Sequence, residues 1–457
     1  MGVKKNDWLM RVIGMSAGEA MESRAAQDVA GSLFLNVTGR LLQIGLAILM
    51  ARILPLKEFG LFTLVMSWVM VLIVPSMVGA QPFLQREIAV AKSREQWARV
   101  KSLLRWSTLT TFLVSCIVFI AASCWILITI PSENPDRYTF LIGFILVPLT
   151  ALLQLWQAHL RGWGAILAGQ IPGTVIQRLL FGILLLAGLA FFASVGMNAT
   201  VALVMQSVAT VSALGVTALL KFRYLQVPRA ERSKPETWTW LRLSSRFTLL
   251  SGLVMLNSQL GILMVGAMLG KADTGIFAVA VKGADLLTVA FLAASMALAP
   301  RMAAFYSDEK YEKLQLMLTR TYRVVSLVTF PVFLLFVFDG NIFLNIFGPA
   351  FTAAWPALII LSFGQFFSIL SGPTGTMLSM AGHERLTMIG VGISVVVNVL
   401  GNVILIPLMG IYGAALGTAL GVIIWNVVLV IFCYKRLGIW TPVLGASLFG
   451  RMSGDKG

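Results

Sequence analysis

Apolar stretches of roughly 20–25 residues follow one another from residue 31 to residue 434, separated by short polar or basic segments. About 20 such residues cross the hydrocarbon core of a bilayer as a helix. The pattern predicts twelve spans, at roughly 31–53, 59–80, 105–130, 138–158, 165–193, 198–220, 243–268, 274–299, 322–345, 355–381, 387–409 and 411–434. Strand-like alternation and periodic polar faces are both missing from these stretches, which excludes a β-barrel and a soluble bundle. Within the first span Ser32, Asn36, Arg40, Gln43 and Ala47 recur at helical spacing and share one face. A cation near mid-span costs about 2.5–3.5 kcal/mol on insertion scales, so Arg40 is expected to face protein or a watery cavity.

The chain also repeats itself. An ungapped shift of 215 residues sets Leu54 on Leu269, Glu58 on Asp273, Gly60 on Gly275, Leu61 on Ile276 and Phe62 on Phe277. The same shift sets Arg86 on Arg301, Leu103 on Leu318 and Arg105 on Arg320. Six spans separate the copies, so both cross the membrane in the same direction. The expected fold is all-α and polytopic: two six-helix bundles related by a pseudo-two-fold axis along the membrane normal, around a central cavity. The expected division is a cytoplasmic segment at 1–30, a bundle at 31–220, a basic linker at 221–242, a second bundle at 243–434 and a cytoplasmic tail at 435–457.

Composition agrees: 58% of the 457 residues are hydrophobic and 12% charged, about half the charged fraction of soluble domains. The net charge of +16 is a matter of topology and not of nucleic acid. With the amino terminus inside, 28 of the 35 Lys and Arg residues fall in cytoplasmic segments, and only Arg52, Lys57, Arg137 and Lys271 fall outside. This is the positive-inside asymmetry, and it sets both termini in the cytoplasm. Residues 1–29 lack a compact apolar core and read as no cleavable signal peptide, although Trp8, Leu9, Val12 and Ile13 fit a short interfacial helix. The basic loops expected at 86–101, 221–242 and 301–323, with interspersed aromatics, suit anionic headgroups.

Three spans carry ionisable candidates. The first has Arg40 beside Asn36 and Gln43. The fifth has Gln170, Thr174 and Gln177 on one face with Arg178 at its edge, and Pro172 marks an expected kink. The eighth has Lys282 and Asp285 three residues apart, close enough to pair. The structural alternatives are a cation satisfied by helix carbonyls or snorkelling for the arginines, and a mutually neutralising pair for Lys282 and Asp285. Asn257, Gln259, Gln365, Ser368, Asn398 and Asn402 read as interhelical hydrogen-bonding groups. Three cations against one carboxylate predict an electropositive chamber for an anion, and arginine's fork of donors matches phosphate. His159, His383 and the three cysteines form no ligand or nucleophile constellation, so neither metal nor cofactor is expected.

The run ARILPLKEFGLFTLV at 51–65, followed by Gly79 and QREIA at 85–89, resembles the amino-terminal region of bacterial polysaccharide flippases of the Wzx type. These belong to the multidrug/oligosaccharidyl-lipid/polysaccharide exporter superfamily. The likeness is strongest over roughly residues 30–105 and extends over the remainder as twelve spans in two halves. It implies a V-shaped pair of bundles in the bacterial inner membrane, alternating between inward- and outward-open states. It also implies an undecaprenyl-diphosphate-linked oligosaccharide as substrate, membrane lipids as surroundings, and other polysaccharide-assembly proteins, such as a polymerase, as partners. The resemblance supplies no fixed motif for Arg40, Arg178 or Lys282. Two alternatives are a cation-coupled multidrug antiporter that depends on Asp285, and a membrane polymerase or ligase. Outside loops of at most about ten residues argue against such an enzyme.

Overall fold

A computed structural model of the chain describes residues 17–77, 80–191, 196–228 and 237–443. The expected interfacial helix around Trp8 and Ile13, the motif residue Gly79, part of the linker (229–236) and the end of the tail (444–457) lie outside the described residues. The helices are α1 (Ala17–Ile53), α2 (Leu56–Met77), α3 (Ala80–Ser93), α4 (Trp97–Thr129), α5 (Asp136–Phe144), α6 (Leu146–Trp163), α7 (Ile166–Ile171) and α8 (Gln177–Phe191). They continue as α9 (Ala199–Tyr224), α10 (Thr237–Met268), α11 (Lys271–Ser307), α12 (Tyr311–Phe347), α13 (Trp355–Ser371), α14 (Thr374–Met380), α15 (Glu384–Met409) and α16 (Ile411–Leu437). Among the described residues they make up twelve candidate spans and no strand. The protein is a multi-pass membrane protein.

Hydropathy locates the apolar stretches but not the helix ends. Helix α1 already includes residues 17–30, within the segment expected to precede the first span. The segments 86–101 and 301–323, expected as loops, are helical hairpins. Helix α3 ends at Ser93, and α4 starts at Trp97; likewise α11 ends at Ser307, and α12 starts at Tyr311. Arginine, lysine and glutamate are good helix formers, so a span runs past the bilayer boundary without a change of backbone. The two hairpin turns are alike, with Glu95 at φ 55 and Glu309 at φ 56.

Those turns correct the repeat. At the opposite end Leu54 and Leu269 make equivalent backbone bonds, to the carbonyls of Met50 and Val265, at a shift of 215. At the hairpins Gln96 bonds the Ala91 carbonyl and Lys310 that of Phe305, a shift of 214. The second span, Leu56–Ser93, has 38 residues and the eighth, Lys271–Ser307, has 37. One extra residue therefore lies in the second span. The pairings Leu103–Leu318 and Arg105–Arg320, beyond the extra residue, are one residue out of the hairpin register, and Glu95–Glu309 is the equivalence they concealed.

The two lobes meet where α2 crosses α11. A methyl group on Gly60 would stand 1.7 Å from the Lys271 carbonyl oxygen, and one on Gly275 would stand 3.1 Å from that of Leu56. Only hydrogen at Gly60 lets the backbones approach so closely, while a methyl at Gly275 would be a tight contact. Around this crossing, at the cation-poor end, Phe59 packs edge-on against Phe351 with ring centroids 5.5 Å apart. The Arg52 guanidinium donates to the carbonyls of Asn345 (2.6 Å) and Ile346 (2.8 Å). These carbonyls belong to the last turn of α12, where helix acceptors lack partners and the dipole favours a cation. Lys271 pairs with Asp136 across the lobes. Glu58 accepts a 2.8 Å bond from the amide of Ala199, the first residue of α9.

Burial shows which way the lobes part. In the cation-poor half one continuous core joins residues of both lobes, from Met50, Phe59 and Val65 to Phe277, Phe347 and Leu358. The basic half has two separate cores: Phe83, Leu84, Ile88, Leu103 and Leu155 in the first lobe, and Met302, Leu318, Tyr322, Met377 and Leu429 in the second. Trp240, at the start of α10, is the exception. It is 1% exposed and seated in the first lobe's basic-end core, edge-on to Trp106. The second lobe is further joined by a buried amide network. Asn257 donates to Ser394 (3.1 Å), Asn398 to Asn257 (3.1 Å) and Asn402 to the Asn398 carbonyl (2.7 Å), linking α10 and α15.

Gly45, by contrast, has no neighbour within 4 Å of an added methyl. In detergent melts Gly60→Ala should lose about 1–3 kcal/mol, the usual cost of overpacking. Gly45→Ala should match or exceed wild type, since alanine favours the helix by about 1 kcal/mol. Equal stability of the two variants would refute the close crossing.

Candidate functional site

Between the lobes lies a cavity of ≈ 400 Å³ lined by Asn36, Arg40 and Gln43 of α1, Thr174 and Arg178 of the fifth span, and Lys282 and Asp285 of α11. Ile44, Leu286 and Val289 supply its apolar wall. The helical spacing of Asn36, Arg40 and Gln43 brings all three to this face, as the pattern along α1 predicts. Asn36 is held by its own helix, donating to the Ser32 carbonyl at 2.8 Å. Gln170 fixes α7 to α1 through a 2.7 Å bond to the Ser32 hydroxyl.

The fifth span departs from the expected geometry. Pro172–Ile176 form a π-helical turn between α7 and α8, starting at the proline where a kink was expected. A π-turn carries about one extra residue, which rotates everything after it by roughly 100° relative to an α-helix. Gln177, expected beside Gln170 and Thr174, consequently turns away and donates to Thr210 on α9 at 2.8 Å. Arg178, expected at the edge of that face, moves onto it and lines the cavity. Its guanidinium donates to the carbonyl of Gly39 on α1. A methyl on Gly39 would fall 2.3 Å from the Thr174 methyl and 2.6 Å from the Arg178 guanidinium. Gly39 thus sets both the approach of α1 to the fifth span and the seat of the arginine. Pattern reading overlooked it because it is one glycine among 41.

The ion pair that the spacing of Lys282 and Asp285 allows is not formed. Both line the cavity, but their charged atoms do not come within the 4.0 Å that defines an ion pair. Spacing of three on a helix allows contact without imposing it. Arg40 and Lys282 make no hydrogen bond or ion pair with any described residue, and Arg178 bonds only a neutral carbonyl. The chamber therefore holds three cations and one carboxylate, so positive charge is in excess there, although Asp285 offsets part of the charge of Lys282 and Arg40, and Arg178 is held by a helix carbonyl. Charge that is removed from water without a partner is costly, and an entering anion relieves that cost. Asn257, Asn398 and Asn402, by contrast, serve packing within the second lobe and do not line the cavity.

Comparison with known proteins accords with this geometry. A family model described as polysaccharide biosynthesis protein matches residues 25–306, more than half of the chain. The chain belongs to that family. A second model, MatE, matches residues 249–404. Within 209 residues this family member is 26% identical to a probable low-salt glycan biosynthesis flippase, Agl15, of Haloferax volcanii. The match covers 44% of each chain, so less than half of that relative is aligned. Among solved structures, the inward-facing conformation of a multidrug resistance MATE family transporter of the MOP superfamily aligns with a TM-score of 0.66 and 14% identity. It covers 89% of this chain and 94% of the other. A MOP superfamily transporter from Pyrococcus furiosus, described as having a binding pocket of reverse polarity that suggests a different function, aligns with a TM-score of 0.63 and 15% identity. The alignment spans 90% and 95% of the two chains. These likenesses establish the two-lobed, twelve-helix fold of this polysaccharide biosynthesis family member.

Gly39→Val should leave the protein folded and expressed but displace Thr174 and the Arg178 guanidinium. A cysteine at Gln43 should then react faster with a small aqueous thiol reagent, by about threefold or more. Unchanged reactivity would show that the α1 contact does not set the shape of the chamber.

Proposed function

We propose that the protein is a flippase for a lipid-linked oligosaccharide whose anionic head group passes through the chamber while its hydrocarbon tail stays in the bilayer. The observation that carries this reading is the excess of cations in the chamber, Arg40, Arg178 and Lys282 against the single carboxylate of Asp285, in a member of a polysaccharide biosynthesis family. A diphosphate cannot cross hydrocarbon unaided, whereas a polyprenyl tail is already in its preferred solvent. Arg40 and Arg178 bind phosphate oxygens, Lys282 adds a point charge, and Asn36, Gln43 and Asp285 meet sugar hydroxyls. Gln177, facing α9, holds the fifth span in place and does not touch the substrate.

In finer detail, the substrate is an undecaprenyl-diphosphate-linked repeat unit moved from the cytoplasmic to the periplasmic leaflet of a bacterial inner membrane. The excess of Lys and Arg at the basic end supports a cytoplasmic location for that end and for both termini. The described conformation, joined at the cation-poor end, is then the inward-facing one. Residues 31–220 and 243–434 act as the two rocking bundles with 221–242 as the linker. The seat of Trp240 in the first lobe carries the start of α10 along with that lobe. The MatE match favours one second reading, a cation-coupled multidrug antiporter using Asp285.

Cells lacking the protein should accumulate undecaprenyl-diphosphate oligosaccharide on the inner leaflet, measured by mass spectrometry with leaflet-selective labelling. Wild type should reverse the build-up, and Arg40→Ala and Arg178→Ala, expressed normally, should reduce transport at least tenfold. An intact surface polymer with no build-up, together with altered drug sensitivity on overexpression, would move the assignment to the antiporter. Opening toward the cation-poor end requires release of Arg52 from α12 and of Lys271 from Asp136. Arg52→Ala combined with Asp136→Asn should therefore raise the reactivity of a Gln43→Cys thiol toward a membrane-impermeant reagent applied from that end. If the reactivity stays at the wild-type level, these contacts are not the closure.

A further inference from the structure

The second lobe carries another cavity, far from the chamber in character. It is a groove of ≈ 400 Å³ between α13 and α16 at the basic end, walled by Leu370, Val427, Ile431 and Tyr434 and bounded by Trp440 and Lys435. Its walls are apolar, so neither sugar nor phosphate finds partners inside. The volume lies within the range of small-ligand pockets.

The groove is built, because its fourth side is a strap. After α16 ends at Leu437 the chain turns at Gly438 (φ 66) and runs back over the ends of α12 and α13. Gln315 on α12 clamps both backbone groups of Trp440: its amide nitrogen donates to the Trp440 carbonyl, and its oxygen accepts the Trp440 amide at 3.0 Å. Val443 donates to the Leu370 carbonyl at 2.8 Å. Ile439, Thr441 and Val443 of the strap are themselves buried. A methyl at Gly372 would lie 2.3 Å from the Thr441 carbonyl oxygen, so glycine is needed for the strap to lie flat.

At the mouth, Trp440 stands edge-on to Tyr434 at 6.0 Å, an amphipathic pair of the kind found at headgroup depth. Lys435 is exposed, and among the described residues no carboxylate lies within 4.0 Å of it. An apolar slot with an unpaired cation at its lip is complementary to one kind of molecule in a membrane. We propose that this groove holds one acyl chain of an anionic phospholipid whose phosphate rests on Lys435. Lysine near a membrane surface is worth about fivefold in affinity for anionic lipid, while the chain fills the apolar slot.

Native mass spectrometry of the full-length protein, delipidated in nonionic detergent and offered phosphatidylglycerol or phosphatidylcholine, tests this. Wild type should retain one more phosphatidylglycerol than Val427→Trp, whose indole fills the groove. Lys435→Gln should keep the adduct but lose a preference over phosphatidylcholine of about fivefold. Gln315→Ala, outside the groove, should weaken retention by loosening the strap. An equal number of adducts in wild type and a folded Val427→Trp would overturn the proposal. So would equal retention of the two lipids by wild type, or a wild-type dimer that Val427→Trp abolishes. If Val427→Trp does not fold, Val427→Phe and Lys435→Gln decide the matter by the same readouts.

Discussion

The structure depends on the close crossing of α2 and α11. Two glycines, Gly60 and Gly275, stand back to back at positions related by the internal repeat. No side chain could be fitted at Gly60, because the nearest atoms are backbone and cannot rotate away. In lipid, where apolar side chains gain little from leaving their surroundings, backbone approach of this kind is a main source of helix association. Everything else at the cation-poor end is arranged around it. Arg52 closes the end of α12, Glu58 receives the first amide of α9, and Phe59 lies on Phe351. Most of the recognisable residues in the run at 51–65 are thus engaged in joining the lobes or fixing their helix ends.

Joining at one end produces the chamber at the other. Two rigid lobes in contact around one crossing separate with distance from it, and the division of the core into two at the basic end is the result. The wedge leaves α1, the fifth span and α11 facing a space that protein does not fill. Asp285 of the second lobe acts on Arg40 of the first across this space, but one carboxylate leaves the three cations in excess. The same gap leaves Lys282 and Asp285 without an ion pair, although their charges still act on one another across the cavity wall. An electropositive cleft between apolar lobes follows from this geometry together with the choice of side chains.

The π-turn at Pro172–Ile176 shows how a small backbone change alters chemistry. One extra residue exchanges which of two adjacent side chains faces the cleft. Gln177 becomes a helix-to-helix bond and Arg178 becomes part of the chamber. The arginine reaches across to α1 only because position 39 lacks a side chain. A neutral carbonyl orients the guanidinium without cancelling its charge, so positive potential remains available to an anion.

The sequence by itself determined the twelve apolar spans, the two-fold repeat, the cation asymmetry between the ends, and the presence of Arg40, Arg178 and Lys282 in the wrong solvent. These depend on local composition and spacing, which hydropathy and helical periodicity register directly. Legible too was the face shared by Asn36, Arg40 and Gln43, since α1 is regular there. Tertiary structure decided the remainder. The one-residue slip of the repeat between Gly60 and Glu95, the rotation of Gln177 off the cavity face, and the seat of Trp240 in the first lobe all depend on distant contacts. A π-turn, a glycine contact and a strap such as that made by Trp440 and Gln315 leave no periodic trace, because each is fixed by which helices meet, and that is settled only once the lobes have packed.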